Sequence, residues 1–249
     1  MLDINGFIGP WPYWDIAHRT PEALLAMMDR SSIKQLAICS TRAIFSDWRL
    51  GNEEAISLAE KHPDRFIPFV SLGPTFVKAE LVDYLKRYKA RNVRGIRLYP
   101  YHQSFRLTND HRVTKVLETA EELHLPVMLP IRVIMNWGLP QLDTGSIETV
   151  VKSFPKLPFI LSSVNYGEFN WARELMRLSP NVFLEISGLQ GFRILEHAVK
   201  SIGAERLLFG TGLPLMYPAC SVVKVTNAKI TPEQKLAISD LNARKLLGL

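Results

Sequence analysis

The sequence predicts an α/β fold, a single (β/α)8 barrel, on three observations. Eight short apolar stretches alternate with segments of helical periodicity at intervals of roughly 25 to 35 residues, the pattern of βα units around a parallel sheet. The chain is 249 residues long, close to the roughly 250 that eight such units take when they close into one domain. Gly6 and Gly9 do not form the glycine-rich phosphate loop that follows the first strand of an open dinucleotide-binding sheet. A TIM barrel over residues 1–249 is therefore expected, with no internal domain boundary, low-complexity tract or short repeat.

The elements follow in order. Strand one is Leu2-Asp3-Ile4-Asn5-Gly6-Phe7-Ile8-Gly9, and the prolines of Pro10-Trp11-Pro12-Tyr13-Trp14 then force a loop at the barrel mouth. Its aromatics either pave a ligand pocket or pack as a lid on the rim. Thr20-Pro21-Glu22 opens a helix, with proline at the first helical position, and leads to strand two at 35–40. A helix at 51–61 precedes strand three at 65–71, where Pro68 is awkward for a central strand. Helix 78–90 and strand 93–98 come next, then helix 109–123 with Asn109 as its N-cap, and strand 126–131. Helix 146–154, strand 158–162, helix 168–178, strand 182–186, helix 194–202 and strand 206–210 complete the alternation. A capped helix from Thr231 to Gly248 ends the chain.

Composition narrows the function. Hydrophobic residues at 47% and charged residues at 22% describe an ordinary globular protein able to bury a sizeable core. The net charge of +6 comes from bases scattered among acids along helices, as in Asp83-Tyr84-Leu85-Lys86-Arg87. Nucleic-acid binding needs a patch or stripe, so a small anionic molecule is the expected partner instead. Cys39 and Cys220 lack CxxC spacing and read as reduced thiols. No membrane-length apolar run appears, so the expectation is a cytoplasmic protein with no membrane or nucleic-acid partner. An apolar helix face would allow a homo-oligomer.

Several stations along the chain resemble the amidohydrolase-related family. They are the opening strand from Asp3 to Gly9, Asp64-Arg65-Phe66-Ile67-Pro68 entering strand three, and Gly95-Ile96-Arg97-Leu98-Tyr99-Pro100 at strand four. Leu125-Pro126-Val127, Glu205-Arg206-Leu207-Leu208-Phe209-Gly210-Thr211 and the closing Asn242-Ala243-Arg244-Lys245-Leu246-Leu247-Gly248 continue the series. The resemblance implies a metal-dependent hydrolase barrel, in which a bound metal activates water and a strand-eight aspartate takes its proton. The departures are systematic. The opening Asp-x-His-x-His-x-Gly reads Asn5 and Phe7 at its two histidines. The third histidine should fall near Leu129-Pro130-Ile131, the fourth falls at Ser163, and the strand-eight acid is Gly212. These side chains cannot supply the imidazole, thiolate or carboxylate donors that a catalytic zinc takes. Of the six histidines (His18, His62, His102, His111, His124 and His197), only His18 and His102 follow strands closely enough to reach the mouth. No metal and no other cofactor is expected.

If a pocket persists, its polar floor lies just past the strand ends. That logic selects Asn5, Trp14, Arg97, Tyr99, Arg132, Asn165 and Tyr166 for binding, and Glu185 and His102 for proton transfer. Arg97 and Arg132 suit a carboxylate, or else pair with acids. Glu185 in its apolar strand is the general-base candidate, or a paired structural acid. Asn5 and Asn165 hold a substrate carbonyl or cap turns. Gly210-Thr211-Gly212 offers backbone N–H groups of the kind that hold phosphate after strand eight.

Three readings stand. One is a metal-independent enzyme performing hydrolysis, lactone opening or decarboxylation of a small carboxylated substrate. Another is a catalytically inactive family member that binds a small ligand or a partner. The third is a conventional metal hydrolase with its ligands elsewhere. The enzyme requires both arginines and a free acid or histidine to converge. The inactive member requires these groups to neutralise one another, or Trp11, Trp14 and Tyr101 to fill the mouth. On the anion-site reading, Arg97→Ala abolishes ligand binding with little loss of fold.

Overall fold

Strands of a parallel barrel are covered on both faces, and all eight predicted apolar stretches become strands. The computed structural model describes residues 1–73, 78–133 and 141–249. In chain order the elements are β1 (Leu2–Ile8), α1 (Pro21–Arg30), β2 (Gln35–Ser40), α2 (Thr41–Phe45), α3 (Trp48–Lys61), β3 (Phe66–Ser71) and α4 (Lys78–Ala90). They continue as β4 (Gly95–Arg97), α5 (His111–Glu122), β5 (Val127–Pro130), α6 (Thr144–Ser153), β6 (Phe159–Ser162), α7 (Tyr166–Leu178), β7 (Val182–Glu185) and α8 (Ile194–Ile202). After β8 (Leu207–Leu208) come α9 (Ala219–Thr226), α10 (Pro232–Leu236), a π-helical turn (Ala237–Leu241) and α11 (Asn242–Leu247).

The strands form one parallel sheet in the order β1 to β8, a nearly closed (β/α)8 TIM barrel. The seam is made by β1 against the residues following β8. Ile4 N donates to Phe209 O at 3.0 Å, Gly212 N to Asn5 O at 2.8 Å and Phe7 N to Leu213 O at 2.7 Å. Two hydrophobic layers result. Leu36, Val70, Ile96, Leu129 and Leu184 pack outward under the helices, while Ile4, Phe7, Phe69, Tyr99, Met128 and Ile160 fill the barrel interior.

Local chemistry explains the differences from expectation. Pro68 sits where the ladder to β2 ends at Ile38 and the ladder to β4 begins at Phe69, and its carbonyl still accepts from Arg94 N at 3.0 Å. The N-cap of α5 is Asp110, which accepts from Arg112 N, whereas Asn109 takes a left-handed φ of 57° just before it. Asp143 caps α6, so that helix begins before 146. The C-terminal helix is interrupted by the π turn rather than continuous. Among the described residues, no helix is long and apolar enough to cross a membrane, and Cys39 and Cys220 are both free.

Candidate functional site

The polar residues at the mouth of the barrel take their positions from a β-bulge in β1. Asp3 pairs with Leu36 and Gly6 with Ile38, so Ile4 and Asn5 stand opposite Ala37 alone. A bulge of this kind disrupts the ladder and re-aims side chains. Here it shifts the alternation, since Leu2 and Ile4 face the interior before the bulge and Phe7 faces it afterwards. The carbonyls of Ile4 and Ala37 accept from Arg97 Nη2 at 3.0 and 3.1 Å, and Asn5 Oδ1 accepts from Arg97 Nη1 at 3.1 Å. The guanidinium is fully buried, with Phe7 at 5.0 Å on one side and Phe69 at 5.5 Å on another.

Asn5 is the pivot. Its Nδ2 donates to Glu185 Oε2 at 2.9 Å, so one amide joins the buried cation to the buried acid. Ser187 Oγ donates to the same carboxylate at 2.8 Å and Ser187 N also donates to it. Burial pushes the Glu185 carboxyl above its usual range, against the pull of Ser187, Lys224 and Asn5. Gly210 makes room for this acid, because a Cβ there would lie 2.3 Å from Glu185 Oε1.

A second buried acid escaped the sequence reading. Asp3, counted there only as part of the frame, accepts from Asn5 N at 2.8 Å, Thr211 N at 3.1 Å and Thr211 Oγ1 at 2.5 Å. Burial raises it to about 7 even against these donors. Thr211 and Gly212 spend their N–H groups on Asp3 and Asn5, so the expected phosphate-holding turn serves the seam instead.

The remaining candidates are also engaged. Arg132 donates from Nη2 to Glu168 Oε1 at 2.7 Å and from Nη1 to Glu168 Oε2 at 3.1 Å and Ser163 O at 3.1 Å. Burial pushes Glu168 up, but Arg132 and the Asn165 N–H hold its carboxyl below the usual range. Asn165 caps α7 in a capping box with Glu168 rather than reaching into the mouth. Tyr166 begins that helix, is 68% exposed and lies against Gly191. The Tyr99 phenol is buried beside Arg97, and burial raises it despite that cation. The His102 ring packs edge-on to Phe45 at 5.2 Å and Tyr99 at 6.3 Å, and burial lowers its pKa. Trp14 belongs to a rim cluster in which Trp11 meets Tyr13 at 5.3 Å, Trp14 at 5.6 Å and Phe45 at 5.3 Å. Rings at these spacings touch one another, so the loop packs as a lid and does not form an open cage.

The structure thus joins Asn5, Arg97 and Glu185, sets Arg132 with Asn165 in a separate network, and leaves His102 and Trp14 among aromatics. Neither arginine converges with a free acid. Because Arg97 bonds both carbonyls and the Asn5 side chain at the bulge, its replacement is expected to cost fold stability as well as any ligand binding.

The donor set does not fit a catalytic metal. Asn5 has its oxygen on Arg97, Phe7 offers only a ring face, and a buried guanidinium between them repels a second cation. Among the described residues, no three His, Cys, Asp or Glu side chains cluster as a metal would need. Residues 74–77 and 134–140 contain none of those four types.

An open trough lies beside the relay, with a volume of about 840 Å³, between the β7–α8 loop and α9. Ser187, Phe192, Arg193, Tyr217 and Lys224 are among the residues lining it. Ser187 and Lys224 were missed from the sequence. Ser187 lies two residues beyond Glu185, where the strand-end rule could have found it, whereas Lys224 belongs to a helix that was not expected.

Comparison with known proteins places this geometry. The chain resembles in structure a 2,6-dihydroxybenzoate decarboxylase from Rhizobium, with a TM-score of 0.77, 17% identity, and 99% of this chain and 98% of that one covered. It resembles a probable 2-pyrone-4,6-dicarboxylic acid hydrolase from Acinetobacter baumannii bound to citric acid, with a TM-score of 0.74, 13% identity, and 100% and 99% covered. A dihydroxybenzoic acid decarboxylase from Polaromonas, with bound manganese and the inhibitor 2-nitroresorcinol, gives a TM-score of 0.75 at 16% identity, covering 100% and 96%. No curated protein matches by sequence. These structural likenesses show the fold. The family model described as Amidohydrolase matches residues 7–249, and with that match across almost the whole barrel the chain belongs to the amidohydrolase family.

Proposed function

We propose that this chain is a member of the amidohydrolase family that binds a small carboxylated molecule and does not perform the family's metal-assisted hydrolysis. The observation that carries this reading is the buried relay Arg97–Asn5–Glu185, in which the groups suited to holding and converting a carboxylate are spent on one another. The Arg132–Glu168 pair points the same way. Support for the ligand class comes from the net charge of +6 and from barrels of the same fold whose names refer to dihydroxybenzoate and pyrone dicarboxylate.

One observation favours a second reading, a metal-independent hydrolase or decarboxylase. Glu185 has a raised pKa and accepts from Ser187 Oγ, which lines the open trough, and a carboxyl tuned upward is what a general base near neutral pH needs. One experiment separates the two. Protein stripped by chelator, and the same protein resupplied with manganese, is incubated with 2,6-dihydroxybenzoate and with an aromatic lactone, and products are followed by chromatography. No product above buffer is expected in either case. Turnover by the stripped protein that vanishes in Glu185→Gln would establish the second reading, and turnover only with manganese would restore metal chemistry.

A further inference from the structure

Lys224 is carried by α9 to the floor of the trough, where its Nζ donates to Ile186 O at 2.6 Å and Ser187 O at 3.2 Å. These bonds use two of the three ammonium protons. The other charged residues lining the trough are Arg193 and Glu196. Glu196 is already engaged, by Arg193 at 3.4 Å and by the Lys229 N–H at 3.0 Å. Burial lowers the Lys224 ammonium to about 8, which leaves it mostly charged at neutral pH, and Glu185 beneath Ser187 offsets only part of that charge because burial pushes its carboxyl toward protonation. The floor therefore favours an anion.

The walls favour a ring. Phe192 in the β7–α8 loop is 91% exposed, and Tyr217 in the segment before α9 is 79% exposed. Leu189 and Met216 add apolar surface to the same hollow. Large aromatics left this open at a concave site gain their hydrophobic contribution only when something covers them. A volume of about 840 Å³ falls within the roughly 300–1,000 Å³ of small-molecule sites, and the hollow lies at the strand C-terminal face where barrels place their ligands.

We propose that this trough is a binding site for a small aromatic carboxylate, with the carboxylate on Lys224 and the ring against Phe192 and Tyr217. The proposal rests on the ligand-binding reading above and moves the ligand away from the barrel axis. The test is calorimetric titration of the metal-free full chain with 2-naphthoate and with its neutral isostere 2-naphthamide. Saturable binding of naphthoate is expected, about tenfold tighter than naphthamide. Lys224→Met should weaken naphthoate about tenfold and erase the preference for the acid. Phe192→Ala should weaken both compounds about fivefold, and because Phe192 packs on almost nothing, this variant tests the site even if Lys224→Met fails to fold.

Absence of saturable naphthoate binding would overturn the proposal. Binding unchanged in both variants would overturn the site while leaving the ligand-binding reading intact. A concentration-dependent dimer that Phe192→Ala dissociates would give the trough to a second copy and overturn it as well. Binding as expected, with the naphthoate consumed, would confirm the site and defeat the non-catalytic reading.

Discussion

The barrel axis and the trough beside α9 stand side by side at the same end of the molecule, and they use similar residues in opposite ways. At the axis, a buried cation and a buried acid are joined through Asn5, and two aromatic rings seal the guanidinium. In the trough, a lysine lies on the floor and two aromatics stand in water. A charge that is fully desolvated and held by internal acceptors belongs to the fold, because those acceptors would lose their donor without it. A charge at the bottom of an open hollow belongs to whatever enters. The two positions where the family carries histidines, Asn5 and Phe7, now serve Arg97, so an internal cation occupies the region that the resemblance assigns to a metal.

The largest test of that contrast is Arg97→Met. Losing the guanidinium leaves the Ile4 and Ala37 carbonyls and Asn5 Oδ1 without their Arg97 donors. Each buried acceptor left without its donor costs about 1–3 kcal/mol, and all three of these are buried. Urea denaturation should show a loss of about 5 kcal/mol or no folded protein. A variant of near-native stability would mean that the axis is not held together by its relay.

Asp3 sharpens the same side of the comparison through pH. An aspartate raised from 3.8 to about 7 binds its proton more tightly in the folded chain than in the unfolded one. Between these values the native state carries the extra proton, so this group makes stability fall as pH rises from about 4 to about 7. Asp3→Asn keeps an oxygen for the Asn5 and Thr211 N–H groups and offers an amide to Thr211 Oγ1, but it does not titrate. Its stability relative to the parent should therefore climb across that window, by up to about 4 kcal/mol. A flat difference in urea midpoints from pH 4 to pH 7 would show that Asp3 is ionised throughout.

What the sequence revealed follows the same division. Strand positions were legible because parallel strands are continuous apolar runs, and Arg97 and Glu185 stood out within them. Their pairing was hidden, because it depends on a two-for-one bulge at Ile4 and Asn5 that no composition signal marks. Asn165 was read as either a binder or a cap, and the Glu three residues later, Glu168, was the capping-box signal that points to the cap. The trough was unreadable because α9 is built from Ala219-Cys220-Ser221-Val222-Val223-Lys224-Val225-Thr226, rich in β-branched residues that disfavour helix. Without that helix, Lys224 has no assignable place.

A smaller effect is expected at Arg132 and Glu168. Their side chains are 3% and 19% exposed and bond bidentately, and Glu168 also closes the capping box of α7. Glu168→Gln keeps one oxygen for Arg132 Nη1 and the Asn165 N–H, but it removes the charge and sets an amide donor against Arg132 Nη2. A loss of about 1–2 kcal/mol is expected, from a weakened charge-assisted bond and a poorer N-terminal cap. Because Arg132 and the Asn165 N–H hold Glu168 below its usual pKa against the upward push of burial, its contribution is present above the ordinary carboxylate range and fades as pH falls through the lowered value. The deficit of the variant should therefore shrink in acid, and a deficit independent of pH would assign it to packing.

The smallest expected effect separates rim from trough. Trp14 is 49% exposed and touches the buried Trp11 edge-on at 5.6 Å, so truncation to alanine removes one face of a lid. Trp11, 6% exposed and in contact with Tyr13, Trp14 and Phe45, is the ring that anchors this cluster. Trp14→Ala should cost under about 1 kcal/mol, the scale of one aromatic pair contact, and should leave naphthoate affinity unchanged. Trp11→Ala should cost about 3–5 kcal/mol, because it empties a buried site. If Trp14→Ala instead weakened naphthoate as much as Phe192→Ala does, the ligand would have to touch the β1 loop. The rim aromatics would then be a binding surface, and the axis would regain a share of the ligand that this comparison assigns to the trough.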